Sequence, residues 1–226
     1  MSLMAVLTGI NPVEIAPYFN DFGTNPEGKD NFRNYLEAHG HSPSYSKPTL
    51  FRIHDNLFAM MANHQYGVSG VNAADLTRAT MEARAEVHKI VNTLKQSGGV
   101  WKGITLVATG AQIGVREGRR IKGRYTVSVD DLKEGKSHPD AICKVNFGVD
   151  IHSTNPTHNK GYINEGIKVQ PYDIPLRAAI AADVDGLMMA GRCISGDFYA
   201  HASYRVTGNA VTMGENVGIE IDLACE

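Results

Sequence analysis

A chain of 226 residues with 42% hydrophobic content is long enough to bury a substantial core. Its 22 Lys and Arg against 24 Asp and Glu leave a formal charge of −2, without the basic footprint that nucleic-acid binding requires. No stretch reaches the ~18 apolar residues of a membrane span. The cysteines, Cys143, Cys193 and Cys225, stand far apart, which excludes a disulfide framework or a zinc knuckle and reads as buried reduced thiols.

The opening Met-Ser-Leu-Met reads as a leader joined to natural sequence, and the N-terminus has no basic segment followed by an apolar run, so the expected location is cytoplasmic. From Asn11 to Lys47 the chain is rich in Asn, Pro, Gly and aromatics, with one helix expected over Lys29–His39 and stopped by Gly40 and Pro43. His39 and His41 form an H-x-H pair, but no acidic or histidine partner in the same loop completes a ligand shell, and no metal site is expected. Thr49–Gly67 reads as two strands joined by a tight turn at His54-Asp55-Asn56.

Leu76, Ala79, Ala83, Val87, Ile90, Val91 and Leu94 then recur at the spacing of one helix face. Asn72 with Asp75 forms the N-cap, Arg78 and Glu82 pair on the wet face, and Ser97-Gly98-Gly99 ends the helix. Ile104–Gly110 reads as a short buried strand, Ile121–Val127 as an alternating strand before a capped turn at Asp130-Asp131, and 141–151 as a further strand. "STNPTHNKGY" is a loop, flanked by His152 and carrying His158, both read as solvated histidines. The charged run of Arg116, Glu117, Arg119 and Arg120 is compatible with a solvated strand end that pairs internally.

"GLMMAG", Gly186–Gly191, reads as a buried strand, and the following polar loop leads into helix formers, giving a strand, loop, helix unit. A helix N-terminus presents unpaired backbone N–H groups that suit an anion or an electron-rich ring edge. Gly191, Gly196 and Gly208 let a flat ligand approach the backbone, although ordinary α/β packing produces the same pattern.

"GLMMAGR…AHASYRVTGNAVTMGENVG" resembles the C-terminal flavin motif of FAD-dependent oxidoreductases with the glutathione-reductase-type fold, related to fumarate reductase flavoproteins. Arg205, Gly208, Asn209, Ala210, Gly214 and Gly218 keep its register. Upstream, Ala108–Leu132 ("ATGAQIGVREGRRIKGRY…") and Asp173–Ser195 ("DIPLRAAIAADVDGLMMAGRCIS") are similar to an FAD-dependent oxidoreductase family.

The resemblance implies a mixed α/β fold that is part of an FAD/NAD(P)-binding fold: one incomplete unit over 1–226, with substrate-domain sheet and helices over 5–175. The C-terminal strand, loop and helix of the FAD domain would follow over 176–226. By the same resemblance Gly191, Arg192, Cys193, Ile194, Ser195, Asp197, Val206, Gly208 and Asn209 would bind the cofactor. The helix starting near Arg205-Val206 would face the flavin N1/O2 edge. Arg116, Arg120, His201 and Arg205 would be catalytic, with Arg119 beside them. Arg192 stands where the fumarate reductase pattern has a carboxylate, a departure from that pattern at the usual ribityl contact. Cys193 lacks a partner for a redox dithiol.

The G-x-G-x-x-G turn that holds the FAD diphosphate is absent from this sequence; Gly67–Leu76 comes nearest and has the wrong spacing. The expectation is therefore part of a flavin enzyme transferring electrons or hydride on a small polar or anionic substrate. FAD would be bound by the longer parent and not retained by this chain alone, and residues 186–218 would lie at or near a homodimer interface. The alternative is a non-catalytic binding or assembly module. "GVSG" lacks the G-x-S-x-G elbow of a hydrolase.

Overall fold

The computed structural model describes residues 1–20, 23, 25–152 and 161–225. The chain divides into two compact units, one over Met1–Val115 and the other over Arg116–His152 with Tyr162–Glu226.

The first unit is built on a four-stranded antiparallel sheet in the order β2-β3-β1-β4, from β1 (Ala5–Thr8), β2 (Thr49–His54), β3 (Leu57–Met61) and β4 (Thr105–Thr109). Alternation puts Leu7 opposite Phe58 and Leu50 opposite Met60, so these side chains share one face and are fully buried. The expected hairpin forms, and Asp55 takes the positive φ of 40° that its tight turn demands. Against this face pack Phe32 and Leu36 of α1 (Gly28–Ala38), and Val87, Ile90 and Leu94 of α2 (Ala73–Ser97), around the buried Trp101.

Helix α2 follows the sequence reading closely. Asn72 Oδ1 accepts from the Asp75 N–H at 3.1 Å, Arg78 meets Glu82 at 3.3 Å, and Gly98 ends the helix at φ +71°. Leu3, in the stretch read as a leader, is packed with Ala79, Ala83 and Ile113, and its backbone is braced on both sides by the Asn63 amide at 2.9 Å. Strand β4 differs from expectation: it is an edge strand with Val107 55% exposed, because an apolar run gives no information about how many strands will flank it. The H-x-H pair points apart. His39 stacks on Tyr35 at 4.2 Å, whereas His41 is buried 3.8 Å from Glu86.

The second unit has shorter ladders. Strand β5 (Ala141–Val145) pairs antiparallel with β8 (Tyr172–Pro175), and β6 (Ile151–His152) with β7 (Tyr162–Ile163). The strand expected over 141–151 is thus two strands separated by the exposed Asn146–Gly148. α3 (Val129–Glu134) forms where a capped turn was expected, and Ser128 and Asp131 complete a reciprocal capping box. α4 (Phe198–Tyr204) and α5 (Thr207–Cys225) replace the single expected C-terminal helix, and Met213 and Val217 of α5 enter a core with Ile142, Val145, Tyr172 and Tyr204.

Two expected strands of this unit are not ladders. Segment 121–127 is held by backbone bonds on both sides: Ile121 and Val127 donate to Cys193 and Ser195, while Arg124 and Tyr125 donate to Ile180 and Arg177. Its neighbours change too quickly for a regular ladder, leaving isolated bridges at Gly123 and Val127. Residues 186–191 form a single antiparallel bridge, Met188 with Ile180, rather than a strand of a parallel sheet. Leu187, Met188, Met189 and Ala190 are half-buried, and the Leu187 carbonyl and Met189 N–H bond to Ala181 and Ala179. Of the cysteines, Cys143 is buried but Cys193 and Cys225 are exposed, so the reading of all of them as buried holds only for Cys143. The loop expected over 153–160, with His158, lies outside the described residues.

Candidate functional site

The site begins with a tight turn. At Ala190 the chain enters a 3-10 turn over Gly191–Cys193, and Gly191 takes φ +64° while facing Ala210 of α5, whose Cβ would lie 3.2 Å from a Gly191 side chain. A larger residue here would drive the turn off α5. Ile194 and Ser195 are buried; the Ser195 hydroxyl meets Thr126 Oγ1 at 2.9 Å, and the Ile194 carbonyl accepts from Tyr204 Oη at 3.2 Å. At Gly196 a Cβ would stand 2.6 Å from the Tyr204 ring, so close approach requires glycine. Both oxygens of Asp197 are engaged as caps, one on Ala200 N–H of α4 and the other on Val129 N–H of α3, each at 2.7 Å. Asp197 therefore fixes two helix starts, whatever else it contacts.

Helix α5 starts with no such cap. The backbone N–H groups of Val206, Thr207, Gly208 and Asn209 meet no acceptor among the described residues. Gly208 is exposed, and nothing lies within 4 Å of where its Cβ would stand. The Asn209 side chain points back, donating to the Tyr204 carbonyl at 3.3 Å, and the Asn209 carbonyl faces the Cys143 thiol at 3.9 Å. Asn216 donates to the Ile142 carbonyl at 3.0 Å, which fixes α5 along β5.

Arg116 and Arg120 come together with the sequence-distant His201 and Arg205 just before α5. Arg205 donates to the Asp150 backbone carbonyl at 2.6 Å. Burial lowers the Arg205 pKa, Asp150 opposes that shift, and Arg116 and Arg120 add to it; the guanidinium stays charged. Burial also brings His201 down to about 3, reinforced by Arg120, Arg205 and Arg192, so its ring is neutral at ordinary pH. Arg120 pairs with Glu117 at 3.3 Å. Arg119 is exposed and does not join the group. Arg192 and Cys193 are exposed on the turn.

One residue of this cluster was read differently in the sequence, and its neighbour Asp150 was not singled out. His152 is 14% exposed in its side chain, not a solvated loop residue, and its Nε2 lies 3.1 Å from Asp150. Burial pushes Asp150 up, but the bond to His152 and the charges of Arg116 and Arg205 outweigh it and hold the carboxyl below its usual range. The available signal was their spacing: residues two apart in an extended segment share a face.

This arrangement supplies backbone donors at an open helix tip and fixed positive charge beside it, which together suit an anion or a ring edge that gains electron density. The isoalloxazine end of a flavin fits these features: uncapped N–H groups, room at Gly208, and a turn held against α5 by Gly191. The sequence offers no glycine turn for the diphosphate end. Across residues 1–226 the sequence matches the family described as FAD dependent oxidoreductase. The chain belongs to that family. Flavin-linked oxidation and reduction is therefore its general chemistry, with FAD as the family's cofactor. No curated protein and no solved structure matches it. Among the described residues of this FAD dependent oxidoreductase family member, no helix is long and apolar enough to cross a membrane, and no group of His, Cys, Asp and Glu is arranged to hold a metal ion.

Proposed function

We propose that this chain carries the flavin-edge and substrate half of an FAD-dependent oxidoreductase that acts on a small anionic substrate. Bound FAD would supply two-electron transfer. The N–H groups of Val206, Thr207, Gly208 and Asn209 would donate to the ring's N1/O2 edge, and the 191–197 turn, including Arg192, Cys193 and Ser195, would lie along the ribityl side. Arg116, Arg120 and Arg205 would hold the substrate's negative charge, and His201 would contribute a neutral ring beside them.

The observation that carries this reading is the gathering of Arg120 and Arg205 around a buried neutral His201 immediately before the uncapped start of α5. Calorimetry with propionate as a probe tests it. A charge-assisted hydrogen bond contributes about 1.5–3 kcal/mol, so Arg205→Ala should weaken binding tenfold or more. Unchanged affinity in a folded variant contradicts the assignment.

Lack of a diphosphate-binding glycine turn favours a second reading, a binding or assembly module without catalysis. The two readings part on whether a longer form of the protein, carrying such a turn, reduces its flavin with any substrate. Self-association as a homodimer and a cytoplasmic location belong to the same proposal. The proposed interface lies at or near residues 186–218, where Phe198 and Val211 are exposed, and light scattering at increasing concentration tests it.

A further inference from the structure

We propose that His201 is a specificity residue that recognises a hydroxyl group, so that the substrate of this site is a small hydroxy carboxylic acid. The inference rests on reading the neighbouring arginines as the anion site. His201 lies on α4 and is 0% exposed. The Arg192 backbone runs beside the ring, but neither ring nitrogen makes a well-aligned hydrogen bond among the described residues. A buried polar group left in this state is costly, and the ordinary reason for keeping one in a charged cluster is a ligand that completes it.

The protonation state decides which group completes it. Burial, with Arg120 and Arg205 nearby, keeps the ring neutral, its pKa at about 3. A neutral imidazole carries its N–H donor and its lone pair on opposite nitrogens; with the N–H turned toward the Arg192 backbone, the lone pair on the other nitrogen needs a donor, which a hydroxyl supplies. A second carboxylate only accepts and so leaves that lone pair unpaired. The carboxylate matches the guanidinium groups instead, which only donate. Other charges in the cluster limit the ligand further. Glu117 already pairs with Arg120, and Asp150 is held ionised between Arg116 and Arg205, beside His152. A ligand with one negative charge and an adjacent hydroxyl offers the arginines an acceptor and the open imidazole nitrogen a donor. A site built to hydrogen-bond a hydroxyl rejects the analogue without it, because its own polar atoms then stay unpaired.

The test is calorimetric titration of the chain with L-lactate and with propionate, which share a carbon skeleton and differ by the hydroxyl. Lactate should bind at least tenfold more tightly, and His201→Phe should bring the two affinities within twofold by weakening lactate alone. Equal binding of the two acids by the unaltered chain overturns the inference. If that propionate binding still depends on Arg205, the anion site survives without the hydroxyl specificity. Failure of either acid to bind at millimolar concentration overturns both. Should His201→Phe not fold, His201→Asn takes its place, and the lactate-to-propionate ratio of the unaltered chain decides on its own.

Discussion

Helices α2 and α5 dispose of their apolar side chains in opposite ways. α2 buries Ala79, Ala83, Val87, Ile90, Val91 and Leu94 along one stripe and caps its first turn with Asn72. α5 buries Met213 and Val217, leaves Val211, Ile219, Ile221 and Leu223 exposed, and begins with no cap among the described residues. The capped start and the buried stripe of α2 are explained by folding its own unit. The start of α5 has no such partners among the described residues, and we propose that a ligand meets its open N–H groups and the arginine cluster beside it.

The largest expected effect tests the buried stripe. Ile90→Ala on α2 should destabilise by about 2–5 kcal/mol, because it removes methyl groups and leaves a cavity, whereas Ile219→Ala on the exposed side of α5 should stay within about 0.5 kcal/mol. Denaturant midpoints of both variants check this; a comparable loss at Ile219 would mean that α5 packs its outer face in solution.

Next in size is the effect of pH through His201. Its folded pKa is about 3, far below the ordinary value of 6.5. Between those values the unfolded chain binds a proton that the folded one refuses. The contribution is complete above about pH 6.5 and is lost as pH falls, with a slope of up to about 1.4 kcal/mol per pH unit. Unfolding free energies at pH 7 and pH 5, compared with those of His201→Asn, check it: the variant should show the shallower fall. Equal slopes would place His201 in a less buried and less positive setting.

Removing the cap of α2 by Asn72→Ala should cost about 1 kcal/mol, since it frees the Asp75 N–H. The smallest effects have the opposite sign. Gly214 and Gly218 of α5 have nothing within 4 Å of a Cβ position, so Gly214→Ala and Gly218→Ala should each stabilise by about 0.5–1 kcal/mol through helix propensity. Thermal melts of both variants check this, and a loss at either position would reveal a close packing partner on that face.

Where a segment's own residues determine its structure, it was legible in the sequence. The cap, stripe and terminating glycine of α2, and the tight turn at Asp55, all depend on local periodicity and backbone geometry. Segment 121–127 was readable as extended chain but not as isolated bridges, because its partners change along the segment and lie at 177–182 and 193–197; segment 186–191 instead folds back on the nearby 179–181 in a single bridge. The site divides in the same manner. The family pattern pointed to Arg116, Arg120, His201 and Arg205, and these residues share one electrostatic environment. Asp150 and His152 carried only the signal of their D-x-H spacing, which at a strand end looks like any polar segment until its neighbours are known. Nor did Asp197 reveal that both its oxygens serve as helix caps.

We propose that this chain carries the ring-facing end of a flavin site without a diphosphate-binding element. Titration of the chain with FAD and, separately, with riboflavin, followed by flavin fluorescence, tests it most directly. One helix terminus contributes roughly 0.3–1 kcal/mol, against about 8 kcal/mol for micromolar affinity, so both ligands should bind weakly and within a fewfold of each other, and the purified chain should be colourless. FAD retained stoichiometrically through gel filtration, or bound a hundredfold more tightly than riboflavin, would show a diphosphate site in this chain and contradict the account.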